Sequence, residues 1–386
     1  MPPATIYLDN SATTAIRPEV REEMMPFLTE KWGNPSSIHK HGRNARAAVE
    51  QARQRVAKLL NCSEEEIYFS PCATYSNNEV LLGAAAAQTE KKHLITSNIE
   101  HPSCLGPAKF LEANGWKVSF LPVDHEGLIS VEQLKRSVTA QTSIISLMWA
   151  NNEIGSLQPV HEIGQFAAEK GILFHTDAVQ VPGKLDIDVN AVQASTLSLS
   201  GHKFFAPKGI GVLYVRKGVA LKQILFGGGQ ESGFFPGTEP VANIVAIGKA
   251  AELAMTELDF VQKDLRQMQF VLTERLKAVP QIKMTGPTDI EKRLPGHVSF
   301  VVPGLEGEAA VMQCDLKGLF ISSASACKKG IMQPSHVVSA LGLSDECAIG
   351  SLRVTAGRFN TVAECERAAE IIAKVVTSKN SALAAK

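Results

Sequence analysis

The sequence predicts an α/β protein built on a mostly parallel β-sheet, with a second, smaller α/β unit towards the C-terminus. Over roughly the first 215 residues, short apolar runs alternate with amphipathic stretches, which is the pattern of βαβ units stacked on one sheet. A Gly- and Pro-rich stretch at residues 226–240 precedes a long helical pattern at residues 241–279. A further series of strand and helix patterns starts near residue 281 and indicates the second unit.

The spacing of apolar residues predicts each element in turn. Helices are expected where apolar residues recur at helical spacing, at residues 17–32, with Pro18 just inside the start, and at residues 43–60. In the second unit we expect a strand at residues 297–302 and helices at residues 306–316 and 362–376. Short runs of β-branched or aromatic residues predict the strands of the large sheet, at residues 67–69, 93–96, 117–121, 143–149, 172–175 and 211–215.

Composition narrows the class of protein. The 386 residues are 45% hydrophobic and 20% charged, with 39 Lys and Arg against 39 Asp and Glu, which is ordinary for a globular protein and disfavours a nucleic-acid partner. No apolar run approaches the roughly 18 residues of a membrane span, and the first residues lack the features of an export signal. Seven scattered cysteines without a Cys-x-x-Cys pair indicate neither disulfides nor zinc. We therefore expect a cytoplasmic protein without a membrane partner.

A lysine is the first candidate catalytic group. Residues 198–203 read Ser-Leu-Ser-Gly-His-Lys and place Lys203 after a strand, among small polar residues. Partial desolvation there would lower the pKa of the ammonium group and leave an amine able to form an imine with a carbonyl compound. The alternative is that Lys203, like Lys208, is a solvated surface lysine.

A carboxylate is the second candidate. Residues 173–180 read Leu-Phe-His-Thr-Asp-Ala-Val-Gln, so Asp177 lies at the C-terminal end of an apolar strand, where open α/β sheets contact their ligands. Asp177 could pair with a protonated ring nitrogen, and Gln180 could donate to a ring hydroxyl. Asp177 could instead cap the following segment or form half of a metal site with His175. No spacing of further ligands supports a metal, so none is expected.

An anion-binding segment is predicted at residues 70–74, Ser-Pro-Cys-Ala-Thr, where a strand ends and a helical pattern begins. Backbone N–H groups and a hydroxyl at the start of a helix attract an oxyanion such as phosphate. The chain has neither a P-loop nor a Gly-x-Gly-x-x-Gly motif, which disfavours a nucleotide.

One cysteine has a reactive setting. Cys327 follows small polar residues and precedes Lys328 and Lys329, whose charges favour a thiolate below the free pKa of about 8.5. The cysteines in helical contexts are expected to be structural and two others are ambiguous; they are Cys62, Cys314, Cys347 and Cys365 in the first group and Cys72 and Cys104 in the second.

Together these segments resemble the cysteine desulfurase branch of the class-V aminotransferases, which are fold-type I pyridoxal phosphate (PLP) enzymes. The resemblance covers nearly the whole chain and keeps the order of the family motifs. The matching stretches are residues 7–14, 33–37, 72–78, 100–102, 151–155, 175–180, 200–203, 207–211, 227–231, 237–238 and 325–327. It implies a large domain at residues 16–255 with a seven-stranded sheet, and a small domain at residues 1–15 and 256–386 that carries the cysteine.

The resemblance also implies the role of each site residue. Lys203 would bind PLP covalently, Asp177 would contact its ring nitrogen and Gln180 its phenolic oxygen. His101 would stack on the ring, and its imidazole could accept a proton from the substrate thiol. The remaining positions that match the family pattern are Ala73, Thr74, Ser200 and His202 for the phosphate, Thr238 for the same phosphate from the partner subunit, Asn152 for cofactor and substrate, and Arg353 for the substrate carboxylate.

The implied reaction converts L-cysteine to L-alanine and leaves a persulfide on Cys327. The implied partners are a second copy of the chain in a homodimer and a sulfur-acceptor protein, an iron–sulfur scaffold. The same donor could feed tRNA thiolation or DNA phosphorothioation. A selenocysteine lyase or an aminotransferase of this fold is a second alternative, although neither needs a loop thiol, and an inactive scaffold protein is a third.

Departures from the family pattern concern the acceptor and the subunit contact rather than the reaction. They are Cys72, Tyr75, Phe234, Phe235, Ala324, Lys328 and Lys329.

Overall fold

The computed structural model describes residues 5–324, 326–328 and 331–383. The helices of this part are α1 (Pro18–Met24), α2 (Pro26–Thr29), α3 (Lys40–Leu60), α4 (Ala73–Ala87), α5 (Pro102–Ala113), α6 (Val131–Ser137), α7 (Val160–Glu169), α8 (Val241–Thr256), α9 (Leu258–Lys277), α10 (Gly307–Asp315), α11 (His336–Ala340), α12 (Asp345–Ile349) and α13 (Val362–Leu383). The strands are β1 (Ile6–Tyr7), β2 (Ile67–Ser70), β3 (His93–Ser97), β4 (Lys117–Leu121), β5 (Thr142–Ser146), β6 (Leu173–Asp177), β7 (Thr196–Ser200), β8 (Gly211–Val215), β9 (Lys283–Met284), β10 (His297–Val301), β11 (Leu319–Phe320), β12 (Ser322–Ser323), β13 (Ala326–Lys328), β14 (Ile331–Gln333) and β15 (Ser351–Thr355).

A seven-stranded sheet forms the centre, in the order β2-β8-β7-β6-β5-β3-β4. Only β8 is antiparallel to its two neighbours, β2 and β7, and the remaining pairs are parallel. The α/β class and the mostly parallel seven-stranded sheet are therefore confirmed.

Two of the predicted long helices are broken. The pattern at residues 17–32 gives α1 and α2, because Pro26 has no N–H to continue the first helix. The pattern at residues 241–279 divides at Glu257, whose carboxylate accepts hydrogen bonds from Arg17 and Arg358. The helix expected at residues 43–60 starts earlier, at Lys40, where the side chain of His39 caps it.

The apolar side chains form two large clusters. The first contains residues of α3, α8 and the central strands, such as Val49, Ile145 and Ile247. The second contains Ile6 and Leu8 together with residues from 261 onward. The domain division at residues 15/16 and 255/256 remains a prediction, and this separation of the clusters supports it.

The second cluster lies against a four-stranded antiparallel sheet in the order β12-β15-β10-β9, and β1 pairs in parallel with β11. A hairpin of β13 and β14 follows β12 and places the backbone of Cys327 opposite Met332. Within the described ranges, no helix has the length and apolarity that crossing a membrane requires.

Candidate active site

A cavity of about 280 Å³ lies at the C-terminal ends of the central strands, the position at which open α/β sheets bind ligands. Asp177 ends β6, while Lys203 and His101 follow β7 and β3. Nine predicted residues line the cavity, namely Ala73, Thr74, His101, Asn152, Asp177, Gln180, Ser200, His202 and Lys203.

Lys203 faces this cavity and is held by the N-terminal segment. Its Nζ donates hydrogen bonds of 2.7 Å to the carbonyl oxygens of Ser11 and Ala12. Burial, and next the charge of Arg353, lower the pKa of Lys203 to about 8. Lys208 is exposed. The alternative of a solvated surface lysine therefore describes Lys208 and not Lys203.

The turn before Lys203 depends on a glycine. Gly201 begins the short 3-10 turn that ends at Lys203, and its N–H donates to the carbonyl of Ile210. A Cβ on Gly201 would lie 2.9 Å from the side chain of Ile210, so a larger residue would displace the turn.

Asp177 is almost completely buried. Its Oδ2 accepts a hydrogen bond of 2.8 Å from Nδ2 of Asn77, and its Oδ1 accepts one of 3.0 Å from the N–H of Val179. Asp177 therefore caps the following segment through the N–H of Val179 and also contacts Asn77. Its carboxylate lines the cavity as well.

His175 is a structural histidine. Its Nδ1 lies 3.0 Å from Oγ1 of Thr196 and its Nε2 lies 3.0 Å from Oδ1 of Asn77. Burial lowers its pKa to about 3, so the ring is neutral. Within residues 5–324, 326–328 and 331–383, no group of three His, Cys, Asp or Glu side chains could hold a metal ion.

His101 is the N-cap residue of α5, with Pro102 in the first turn, where it is favoured. Its Nδ1 accepts the backbone N–H of Ser103 at 3.1 Å and lies 2.8 Å from Oγ of Ser103. Desolvation by the surrounding protein lowers the pKa of His101, and the charge of Asp177 opposes this effect.

One end of the cavity suits a phosphate group. Ala73 and Thr74 begin α4, and the first N–H groups of a helix have no acceptor within it. Ser200 and His202 line the same cavity, and burial lowers the pKa of His202 to about 4. An anion-binding end, a carboxylate and a desolvated amine thus share one cavity, and these residues fit PLP.

Arg353 and Thr238 lie outside the wall of this cavity. Arg353 contacts the cavity residue Asn152: its Nη1 donates to the Asn152 carbonyl at 2.9 Å, and its Nη2 donates to Oδ1 of Asp9 at 2.8 Å. Its buried Nε has no partner among the described residues. Thr238 lines another cavity, of about 320 Å³, so its role at the partner's site remains a prediction.

The thiol of Cys327, with the side chains of Lys328 and Lys329, falls outside the described residues, so its reactivity remains a prediction. Burial raises the pKa of Cys62 and Cys365 to about 12 and that of Cys314 to about 11, and raises that of Cys104 well above its usual value. Cys72 lies in the cavity wall.

Four further residues of the site were not predicted as site residues. Asn77 hydrogen-bonds to Asp177 and to Ser103, and Ser103 contacts His101. Asp9 forms an ion pair with Arg353. Lys184 is buried, its Nζ is 3.4 Å from Oε1 of Gln180, and burial lowers its pKa to about 7. Asn77 and Ser103 could have been identified by their short distance in sequence from predicted site residues. Asn77 lies one helical turn after Ala73, and Ser103 lies two residues after His101.

Comparison with known proteins leads to the same family as the sequence motifs. The sequence model of the family described as "Aminotransferase class-V" matches residues 6–368. A protein named "Cysteine desulfurase IscS" from Clostridium botulinum (strain Kyoto / Type A2) is 44% identical over 376 residues, 97% of this chain and 95% of that protein. Its namesake from Methanosarcina thermophila is 43% identical over 373 residues, 96% of this chain and 92% of that protein.

Two solved structures are similar over most of their length. A "NifS-like protein" has a TM-score of 0.91 at 34% identity and covers 97% of this chain and 100% of its own. A structure titled "SspA in complex with cysteine" has a TM-score of 0.80 at 34% identity and covers 92% of this chain and 100% of its own.

Proposed function

This chain belongs to the class-V aminotransferase family, and we propose that it is a PLP-dependent L-cysteine desulfurase whose persulfide carrier is Cys327. The observation that carries the proposal is that Lys203, Asp177 and the first residues of α4 line one cavity. The relatives named cysteine desulfurase support the choice of substrate.

The residues of the cavity would hold PLP in a fixed orientation. Ala73, Thr74, Ser200 and His202 would bind its phosphate, and Lys203 would bind it covalently. Asp177 would keep its ring nitrogen protonated, since a carboxylate stabilises a neighbouring cation. When bound, PLP withdraws electrons from the Cα of an amino acid and so makes the Cα proton acidic.

Lys203 is suited to take up that proton at Nζ. With a pKa of about 8, a substantial share of its amine is neutral at slightly alkaline pH. The carbonyl oxygens of Ser11 and Ala12, each 2.7 Å away, can hold the ammonium that results.

Arg353 and Asn152 would bind the substrate carboxylate. Arg353 is fixed by the Asn152 carbonyl and by Asp9, and its guanidinium still has a donor at Nε without a partner among the described residues. A guanidinium suits a carboxylate because it can donate to both oxygens.

Cys327 would receive the sulfur. Its thiolate attacks the substrate sulfur, the bond between that sulfur and the substrate Cβ breaks, and a sulfur–sulfur bond forms. The substrate carbon retains the bonding electrons and is protonated to give L-alanine, so the step needs no external oxidant. The cytoplasm is the proposed compartment, because its reducing conditions keep such a thiol reduced between cycles.

Two partners belong to the proposal. A second copy of the chain would supply Thr238 to the phosphate, and an iron–sulfur scaffold would accept the persulfide sulfur. Thr238→Ala, with Thr377→Ala as the surface control, should weaken PLP retention in the dimer. Full activity in a preparation that sedimentation shows to be monomeric would argue against a shared site.

The function is tested by incubating the purified enzyme with L-cysteine and a thiol reductant and measuring sulfide and alanine. We expect the two products in equal amounts. Formation of 3-mercaptopyruvate, with conversion of an added 2-oxo acid to its amino acid, in place of alanine and sulfide would identify a transaminase, and turnover of selenocysteine alone would identify a selenocysteine lyase.

A further inference from the structure

We propose that Asn77 and Ser103 are positioning residues that join the carboxylate of Asp177 to the imidazole of His101 and fix the His101 proton on Nε2. This inference rests on the proposed function for the meaning of Asp177 and His101. The arrangement itself is a property of the described side chains.

Asn77 is fully buried, and all its hydrogen-bonding groups are used. Its Nδ2 lies 2.8 Å from Oδ2 of Asp177 and 2.8 Å from Oγ of Ser103, while its Oδ1 lies 3.0 Å from Nε2 of His175. A carboxylate accepts hydrogen bonds, so the amide N–H groups face Asp177 and the amide oxygen faces His175. The orientation of the amide is therefore determined.

This orientation of the Asn77 amide determines which ring nitrogen of His175 carries the proton. Its Nε2 must donate to Asn77, and because the ring is neutral its Nδ1 must accept from the hydroxyl of Thr196, 3.0 Å away. Asp177 is thus supported by a buried chain that ends on the neighbouring strand β7.

Through Ser103, the same amide also influences which ring nitrogen of His101 carries the proton. The Oγ of Ser103 accepts from Asn77 and has one hydrogen of its own, which points at Nδ1 of His101, 2.8 Å away. The backbone N–H of Ser103 also donates to this Nδ1, at 3.1 Å. A backbone N–H can only donate, so Nδ1 has no proton and the neutral ring carries its proton on Nε2.

The consequence for the reaction is a donor at Nε2 of His101. Uptake of the substrate thiol's proton by His101 would have to occur at Nδ1, which two donors of Ser103 occupy. In the resting enzyme the proton of His101 is therefore on Nε2, and Ser103 opposes further protonation of the ring. Three charged or titratable groups surround the ring: Asp177 favours the protonated ring, whereas Lys203 and His336 disfavour it.

Two substitutions separate the roles. Ser103→Ala removes one donor to Nδ1 and leaves the contact between Asn77 and Asp177, so the pKa of His101 should rise while PLP retention stays within about twofold. Asn77→Ala removes a hydrogen bond to Asp177, so PLP should dissociate about tenfold faster, as expected when a bond to a charged group is lost. Asn78→Ala is the matched control, because the Asn78 amide bonds only to the Thr74 carbonyl among the described residues.

The pKa of His101 is measured by NMR on the full-length holoenzyme without substrate, from the pH dependence of its ring Cε1–H signal. Histidine labelled at that carbon and His101→Gln identify the signal. This readout does not depend on turnover, so it tests the inference even if the enzyme proves not to be a desulfurase.

We expect an upward shift in Ser103→Ala and none in Asn78→Ala. An unchanged or lower pKa in Ser103→Ala, or a ring ¹⁵N shift that shows a protonated Nδ1, would overturn the inference. If Asn77→Ala does not fold, the Ser103→Ala titration decides alone.

Discussion

Asp9 and Arg353 form an ion pair between the beginning and the end of the chain, with Oδ1 of Asp9 2.8 Å from Nη2 of Arg353. The other carboxylate oxygen of Asp9 accepts a hydrogen bond of 2.8 Å from Oγ of Ser322. Ser322 begins β12, which precedes the hairpin that carries Cys327. One carboxylate thus contacts both the proposed substrate-binding arginine and the strand before the proposed nucleophile.

Asp9→Asn should weaken L-cysteine binding. The substitution leaves the Arg353 guanidinium without its charged partner, so we expect KM to rise by about tenfold, the effect of losing a charge-assisted hydrogen bond. Steady-state kinetics measures this change, with Glu19→Gln as the control, because the ion pair of Glu19 with Arg17 lies away from the cavity. An unchanged KM in Asp9→Asn would show that Arg353 is positioned without Asp9.

Lys203→Ala should abolish covalent PLP binding and turnover, since the substitution removes the amine in the cavity. Borohydride reduction followed by peptide mapping measures the attachment. Lys208→Ala, at an exposed position, should retain both properties. A reducible linkage that survives in Lys203→Ala would assign the cofactor to another lysine, and the buried Lys184 would be the first to examine.

Cys327→Ala should bind L-cysteine with the same change in visible absorbance as the parent enzyme, yet release almost no alanine or sulfide. Binding does not need the thiol, whereas sulfur transfer does. Cys347→Ala is the control and should remain active. Alkylation with peptide mapping provides the opposing outcome: if loss of activity follows labelling of Cys72 or Cys104 while Cys327 stays unlabelled, the carrier is misassigned.

Replacing Lys328 and Lys329 together with Gln should slow alkylation of Cys327 at neutral pH. The loss of two positive charges next to the thiolate raises the pKa of the thiol. We expect a modest effect of about twofold to threefold, because salt screens charges of this kind in water. The pH dependence of the iodoacetamide reaction measures it, and a faster reaction in the double variant would contradict the proposed electrostatic effect.

Lys184→Met should stabilise the fold. The pKa of Lys184 is lowered from 10.5 to about 7, so burial of the ammonium opposes folding fully below pH 7, and this penalty disappears as pH rises from about 7 to 10.5. We expect the free energy of unfolding to increase by about 1–4 kcal/mol at pH 6 and the gain to shrink at pH 9. Urea denaturation at both values tests this, with Lys208→Met as the control; an equal gain at both would indicate a packing effect.

The sequence identifies residues that occupy motif positions, and the structure adds residues that act across long separations. Lys203 and Asp177 are recognisable because Asp177 ends a strand and Lys203 follows one, each within a short family motif. The partners of Asp9 are unpredictable from spacing, since Ser322 and Arg353 lie more than 300 residues away. Asn77 was visible within a motif, yet its contact with Asp177, 100 residues later, depends on how α4 packs on the sheet.

The ends and interruptions of helices are a second feature that the sequence pattern does not predict. The apolar period at residues 241–279 continues through Glu257, and the break occurs where a carboxylate binds two arginines from distant parts of the chain. Such tertiary ion pairs leave no trace in the local period, so the sequence predicts one helix where the structure has two.

The pairing of β1 with β11 also sets an order of events during biosynthesis. Residues 6–10 hydrogen-bond to β11 and to Thr355, so this segment must wait for a partner made about 300 residues, or roughly 15–60 s, later. Until then, the segment of Ser11 and Ala12 that holds Lys203 lacks its hydrogen bonds to Thr355. A nascent chain that stops before β11 contains Lys203 and Asp177 but lacks the strand that pairs with β1, so we expect it to hold the cofactor less firmly than the finished chain.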